Sequence, residues 1–138
     1  SLPTVEGAVN DILAQIVDFS VVFSMNGKDI DTHIVYDDDR VWSLELSSGM
    51  ERFISSLAIR IGLMNVSNLP QGNFLAIDEG WGTMDSENLN SVSQLFQYLK
   101  TQFQFTFVVS HIETMRDFVD TLLEIKKVDG SSSVRFSR

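Results

Sequence analysis

The segment FLAIDEGWGTMD, residues 74–85, places two adjacent carboxylates, Asp78 and Glu79, directly after a run of four apolar residues. An Asp at the exit of a buried strand can hold a divalent cation, and a neighbouring Glu can orient and deprotonate an attacking water. Phosphoryl transfer needs those two services and little covalent chemistry from the protein. A plainer account is equally available, since polar residues commonly end a buried strand where it meets solvent. A second segment, residues 105–111, repeats the design: Phe105 to Val109 is apolar apart from Thr106, and Ser110 and His111 follow it. A histidine at such a strand end can polarise a phosphate, although a histidine after a strand is more often an ordinary surface or packed residue.

The third candidate is Ser47-Ser48-Gly49, which enters a helical pattern. Ser48 with Glu51 three residues on fits a capping box. The same helix start offers backbone amides and the positive end of a dipole to an anion, so capping and phosphate binding are compatible. Asp37-Asp38-Asp39 reads as a solvated turn rather than a metal site, with no partner ligands near it in sequence.

These residues need strands and helices to position them. Val5, Val9, Ile12, Leu13, Ile16 and Val17 recur at helical spacing, so residues 4–18 are expected to form an amphipathic helix. Residues 19–25 and 29–36 read as strands joined at Asn26-Gly27, with Ile30, Thr32, Ile34 and Tyr36 on one face. Residues 41–46 suggest a third strand. Phe53, Leu57 and Ile61 mark one face of a helix over about 49–64, and Leu89, Val92, Leu95, Phe96 and Leu99 mark another over 86–102. Residues 74–77 and 105–109 read as strands covered on both faces. A short helix over 112–120 and a strand pair, 122–128 and 134–137, around Asp129-Gly130 complete the chain. The strand–helix–strand–helix order after residue 70 predicts a parallel sheet in an α/β domain.

With 138 residues the chain is long enough for one domain with a core, and without cysteine it has neither disulfides nor thiolate metal sites. No apolar run approaches the roughly 20 residues of a membrane-spanning helix, and no membrane partner is expected. The formal net charge of −9 makes this chain by itself a poor surface for nucleic acid, whose binding sites are basic.

In order along the chain, LSSGME, FLAIDEGWGTMD and FVVSHIE resemble the signature motif, the Walker B strand with its D-loop, and the switch histidine of ABC-type ATPases. Within that superfamily DEGWGTMD looks closest to SbcC-type DNA double-strand-break repair ATPases, the SMC relatives that work with a nuclease; phage recombination endonuclease subunits are among them. The resemblance covers about residues 40–138, and the first helix fits a coiled-coil root.

It implies an α/β fold, the C-terminal lobe of an ABC/SMC-type P-loop NTPase head, with a parallel-rich sheet flanked by helices and with N-terminal and C-terminal hairpins. It implies that Asp78 positions Mg²⁺, that Glu79 is the general base and that His111 contacts the γ-phosphate of ATP. Asp85 would be the D-loop Asp at a dimer interface. Ser47, Ser48 and Gly49 would touch ATP held by the opposite subunit. Ser48 stands where the signature usually has its first Gly, Met50 where a polar residue is common, and Met84 where Leu usually precedes the D-loop Asp.

The chain contains no GxxxxGK[ST] phosphate loop. The resemblance therefore implies that an N-terminal, Walker A-bearing lobe supplies it, and that the isolated chain is inactive. The further partners implied are a second head joined on ATP, an SbcD-type nuclease, and DNA through the full complex, in a cytoplasmic, nucleoid-associated setting. A structural SMC-like head that tethers DNA and a non-catalytic α/β interaction domain are the competing readings.

Overall fold

A computed structural model describes residues 1–67, 74–78, 86–110, 116–117 and 119–137. Helix α1 (Leu2–Leu13) leads into a three-stranded antiparallel sheet, β1 (Phe19–Asn26), β2 (Asp29–Tyr36) and β3 (Val41–Ser43), in that spatial order. A 3-10 turn (Leu44–Leu46) precedes α2 (Gly49–Val66). Then come β4 (Phe74–Asp78), α3 (Ser86–Gln102), β5 (Phe105–Val109), β6 (Leu122–Val128) and β7 (Ser131–Ser137). β4 and β5 pair in parallel, and β6 and β7 form an antiparallel hairpin.

The helices bury the stripes that their periodicity marks. α1 packs on α2 and β1, contributing Val9, Ile12 and Leu13, while α2 contributes Ile54, Leu57, Ala58 and Ile61. Val92, Leu95, Phe96 and Leu99 of α3 join the same cluster, as do Leu75 and Ile77 of β4. In the first sheet Val21 lies opposite Ile34 and Phe19 opposite Tyr36, so a single face alternates inward. Burial fades towards the hairpin tip, where Met25 and its partner Ile30 are exposed.

Several boundaries differ from expectation for local reasons. α1 stops at Leu13, and residues 14–17 tighten into turns in which the Ile16 amide donates to the Leu13 carbonyl at 3.0 Å. The first hairpin turns at Gly27-Lys28, with Gly27 at φ 65°, while Asn26 stays in the ladder opposite Asp29. The expected strand over 41–46 ends at Ser43, whose hydroxyl accepts from the Glu45 amide and starts the 3-10 turn. Strand β7 begins three residues earlier than expected, at Ser131. Asp129 and Gly130 both adopt positive φ, as a tight two-residue turn requires. β5 is not covered on both faces: Phe105, Phe107 and Val109 alternate outward with 56%, 41% and 47% of their surface exposed. The helix expected over 112–120 falls mostly outside the described residues.

Gly62 lets α2 approach α1. A Cβ at this position would lie 2.8 Å from Val9 Cγ2 and 3.3 Å from the Val9 amide nitrogen. Alanine would gain about 1 kcal/mol of helix propensity and lose about 1–3 kcal/mol to overpacking against a stiff β-branched side chain. Gly62→Ala is therefore expected to lower the urea midpoint, and an unchanged or higher midpoint would show that the α1–α2 contact yields freely.

Candidate functional site

Two parts of the fold carry the candidate chemistry. The first is the carboxyl end of the parallel pair. β4 and β5 run in register from Phe74 opposite Phe105 to Asp78 opposite Val109. The segment that continues into Glu79 and the segment that continues into Ser110 and His111 thus leave the sheet at the same end of adjacent strands. This is the end at which α/β sheets present ligand-binding residues. Of Asp78 the backbone alone is described, and Glu79, Asp85 and His111 lie outside the described residues.

On the flank of β4, Arg60 of α2 donates to the Ala76 carbonyl at 2.9 Å. Beside it a cavity of about 210 Å³ is lined by Phe53, Ser56, Leu57, Arg60 and Ile77. A carboxylate such as Asp78 is the right donor type for Mg²⁺, a hard cation that takes oxygen ligands and keeps waters and phosphates among them. Among the described residues no group of three or more acidic or histidine side chains forms a cage of its own. A single carboxylate fits a cation shared with a nucleotide.

The second part is the start of α2. Ser48 is its N-cap, and the capping box is complete: the Ser48 hydroxyl accepts from the Glu51 amide at 3.2 Å, and Glu51 Oε1 accepts from the Ser48 amide at 2.8 Å. The Arg52 amide donates to the Ser48 carbonyl at 3.0 Å. Among the described residues the Gly49 and Met50 amides have no partner, as the first amides of a helix lack one within it. Ser47 is buried, and both its amide and its hydroxyl donate to the Leu44 carbonyl, whereas Ser48 is exposed. Met50 is buried in the core. The geometry thus separates the three candidates: Ser47 holds the loop, and Ser48 and Gly49 present it.

Glu51 has a further partner that sequence reasoning missed. Its Oε2 accepts from the Tyr36 hydroxyl of β2. Burial alone would raise the Glu51 pKa, but hydrogen bonds from Tyr36 and Ser48 outweigh it and hold the carboxyl below its ordinary value. Burial, and then Glu51, push the Tyr36 phenol well above its ordinary value. Nothing in the local sequence pattern pairs two residues 15 positions apart in different kinds of element.

The Asp37-Asp38-Asp39 segment is a turn, with Asp39 at φ 66° and Asp38 paired to Arg40 at 2.7 Å. The hydrogen bonds from Arg40 lower the Asp38 pKa. Among the described residues no helix is long and apolar enough to cross a membrane.

No family model matches the chain. It is 35% identical to the "Uncharacterized protein R555" of Acanthamoeba polyphaga mimivirus, across 96% of this chain and 11% of that protein. It is 30% identical to the SbcC protein of the SbcCD nuclease of Staphylococcus aureus, across 86% of this chain and 12% of that protein. The chain therefore spans about a ninth of the length of these relatives. A solved structure from work on ATP-driven dimerization and DNA-stimulated activation of SMC ATPases superposes with a TM-score of 0.77 at 17% identity, covering 99% of this chain and 85% of that chain. The Smc head domain of Pyrococcus furiosus, solved with an extended coiled coil and bound to the C-terminal domain of ScpA, superposes with a TM-score of 0.68 at 20% identity, covering 98% of this chain and 35% of that one.

Proposed function

We propose, for a chain that is homologous to SbcC and built on the fold of SMC heads, that it is the C-terminal lobe of an ATP-hydrolysing head that regulates a partner nuclease in DNA repair or recombination. The observation that carries this reading is the in-register parallel pair β4–β5. It has the strands that lead into Asp78-Glu79 and Ser110-His111 end side by side at one end of the sheet, as a phosphoryl-transfer site needs.

In this reading Asp78 holds Mg²⁺ at the end of β4, and Glu79 takes the proton of the attacking water. His111 contacts the γ-phosphate from the end of β5. Bound Mg²⁺ supplies charge neutralisation at the phosphates. Asp85 lies at the interface between two heads, and the loop of Ser47, Ser48 and Gly49 reaches the nucleotide of the opposite head. The Gly49 and Met50 amides at the start of α2, without partners among the described residues, support the anion-facing role of that loop.

Such a lobe works only in company. An N-terminal lobe bearing Walker A completes the site in cis, a second head completes it in trans, and an SbcD-type nuclease and DNA join through the full assembly. An acidic chain with net charge −9 does not itself supply the basic surface that DNA binding needs.

ATP hydrolysis by this chain mixed with a Walker A lobe, from the same protein or from a companion chain, tests the reading. Neither lobe alone should turn over ATP, and the mixture should. A mixture as inert as its parts, with both lobes folded, would remove the ATPase assignment and leave the fold.

A further inference from the structure

The Tyr36 hydroxyl spans from the end of β2 to the first turn of α2, where it donates to Glu51 Oε2. The other carboxylate oxygen of Glu51 accepts from the Ser48 amide. One side chain thus joins the first sheet to the loop that holds Ser47, Ser48 and Gly49. The ring that carries this hydroxyl is itself held firmly. Phe19 meets it edge-on with centroids 5.5 Å apart, Trp42 lies 5.5 Å away, and the Arg40 guanidinium sits 4.7 Å over its face. Arg40 is in turn fixed by Asp38 at 2.7 Å. A side chain needed only to fill space would not require a hydroxyl at this point.

The arrangement has an electrostatic side. Glu51 brings a negative charge to the helix start that is read here as facing a phosphate, and two like charges there repel. Two directed donors, the Ser48 amide and the Tyr36 hydroxyl, hold the carboxylate on the sheet side of the turn and disperse its charge. Without the hydroxyl, Oε2 loses its donor, and the carboxylate is held through Oε1 and the capping box alone.

We infer that Tyr36 is a positioning residue for the Ser47–Gly49 loop, fixing Glu51 so that the loop is preorganised for the nucleotide of an opposing head. This rests on the ATPase-head reading and adds to it a residue outside the three motifs. Since the loop acts across the dimer, the effect belongs to head closure and not to the capture of ATP by one head.

The test uses the assembled head. ATP-dependent dimerisation is followed by light scattering against ATP concentration for the parent and for Tyr36→Phe, which keeps the ring and its packing. Binding of a fluorescent ATP analogue is measured at protein concentrations too dilute for dimers. The ATP needed for half-maximal dimerisation is expected to rise about three- to tenfold in Tyr36→Phe, and kcat to fall by a similar factor. Analogue binding by dilute heads should stay at the parent value. In a Glu51→Gln background, where no charge is left unpaired, removing the hydroxyl should cost less, giving a non-additive double-mutant cycle.

Parent-like dimerisation and turnover in Tyr36→Phe would overturn the inference alone. So would an equal loss of single-head binding, or an additive cycle, since either marks a merely structural role. A parent head that neither dimerises on ATP nor hydrolyses it would overturn the ATPase reading and this inference with it.

Discussion

Replacing Glu79 with Gln in the assembled head is expected to cut ATP turnover by about a hundredfold to ten-thousandfold, the range that a positioned general base contributes. Glutamine matches glutamate in size and keeps a hydrogen-bond acceptor, so an attacking water can still be oriented. It cannot take the proton at neutral pH. The loss should therefore fall on kcat, with binding preserved. Trapped, ATP-bound heads should accumulate, visible as a dimer that persists after excess nucleotide is removed. Turnover within a fewfold of the parent would end the assignment of Glu79 as the base, whatever the fate of the fold.

Asn10→Ala should give the largest stability loss of any polar substitution among the described residues, about 2–4 kcal/mol for two hydrogen bonds whose partners are left buried. The Asn10 amide nitrogen donates to the Val21 carbonyl at 3.0 Å, and the Val21 amide donates to Asn10 Oδ1 at 2.8 Å. Val21 is fully buried. One helical turn earlier, Glu6 Oε2 accepts from the Phe23 amide at 2.9 Å. The two side chains of α1 satisfy the outer edge of β1 in place of a neighbouring strand. Alanine removes both bonds at Val21 and gives its backbone nothing in exchange. Urea denaturation would show the loss directly; a change under about 0.5 kcal/mol, the size ordinary at surface positions, would mean that water reaches the Val21 edge.

Asn10 also shows where sequence reasoning stops. The helical stripe through Val5, Val9, Ile12, Leu13 and Ile16 was legible, because apolar spacing reports a buried face within one element, and Val9, Ile12, Leu13 and Ile16 are indeed buried. α3 and β5 matched their expected limits for the same reason. Asn10 and Glu6, on that helix, carry no such periodic mark. Their role depends on a strand more than ten residues away, and pattern contains no partner. Tyr36 with Glu51 and Gly62 with Val9 escaped notice likewise. β5 was misjudged in another way: an apolar run was read as a strand buried on both faces, while Phe105, Phe107 and Val109 are exposed. The candidate site rests on three motifs whose Glu79, Asp85 and His111 lie outside the described residues, while the parallel pairing of β4 with β5 was predictable from element order. That Ser47 faces inward while Ser48 faces outward was not, since both are serines one position apart on a turn.

The close approach at Gly62 constrains the history of the chain as well as its packing. With Val9 Cγ2 lying 2.8 Å from where a Cβ would stand, a larger residue at position 62 costs less once position 9 has become smaller. Changes at the two sites are thereby coupled. Among related chains the pair should covary, glycine with a branched residue and alanine with a small one, although the sites lie 53 positions apart and neither touches the candidate chemistry.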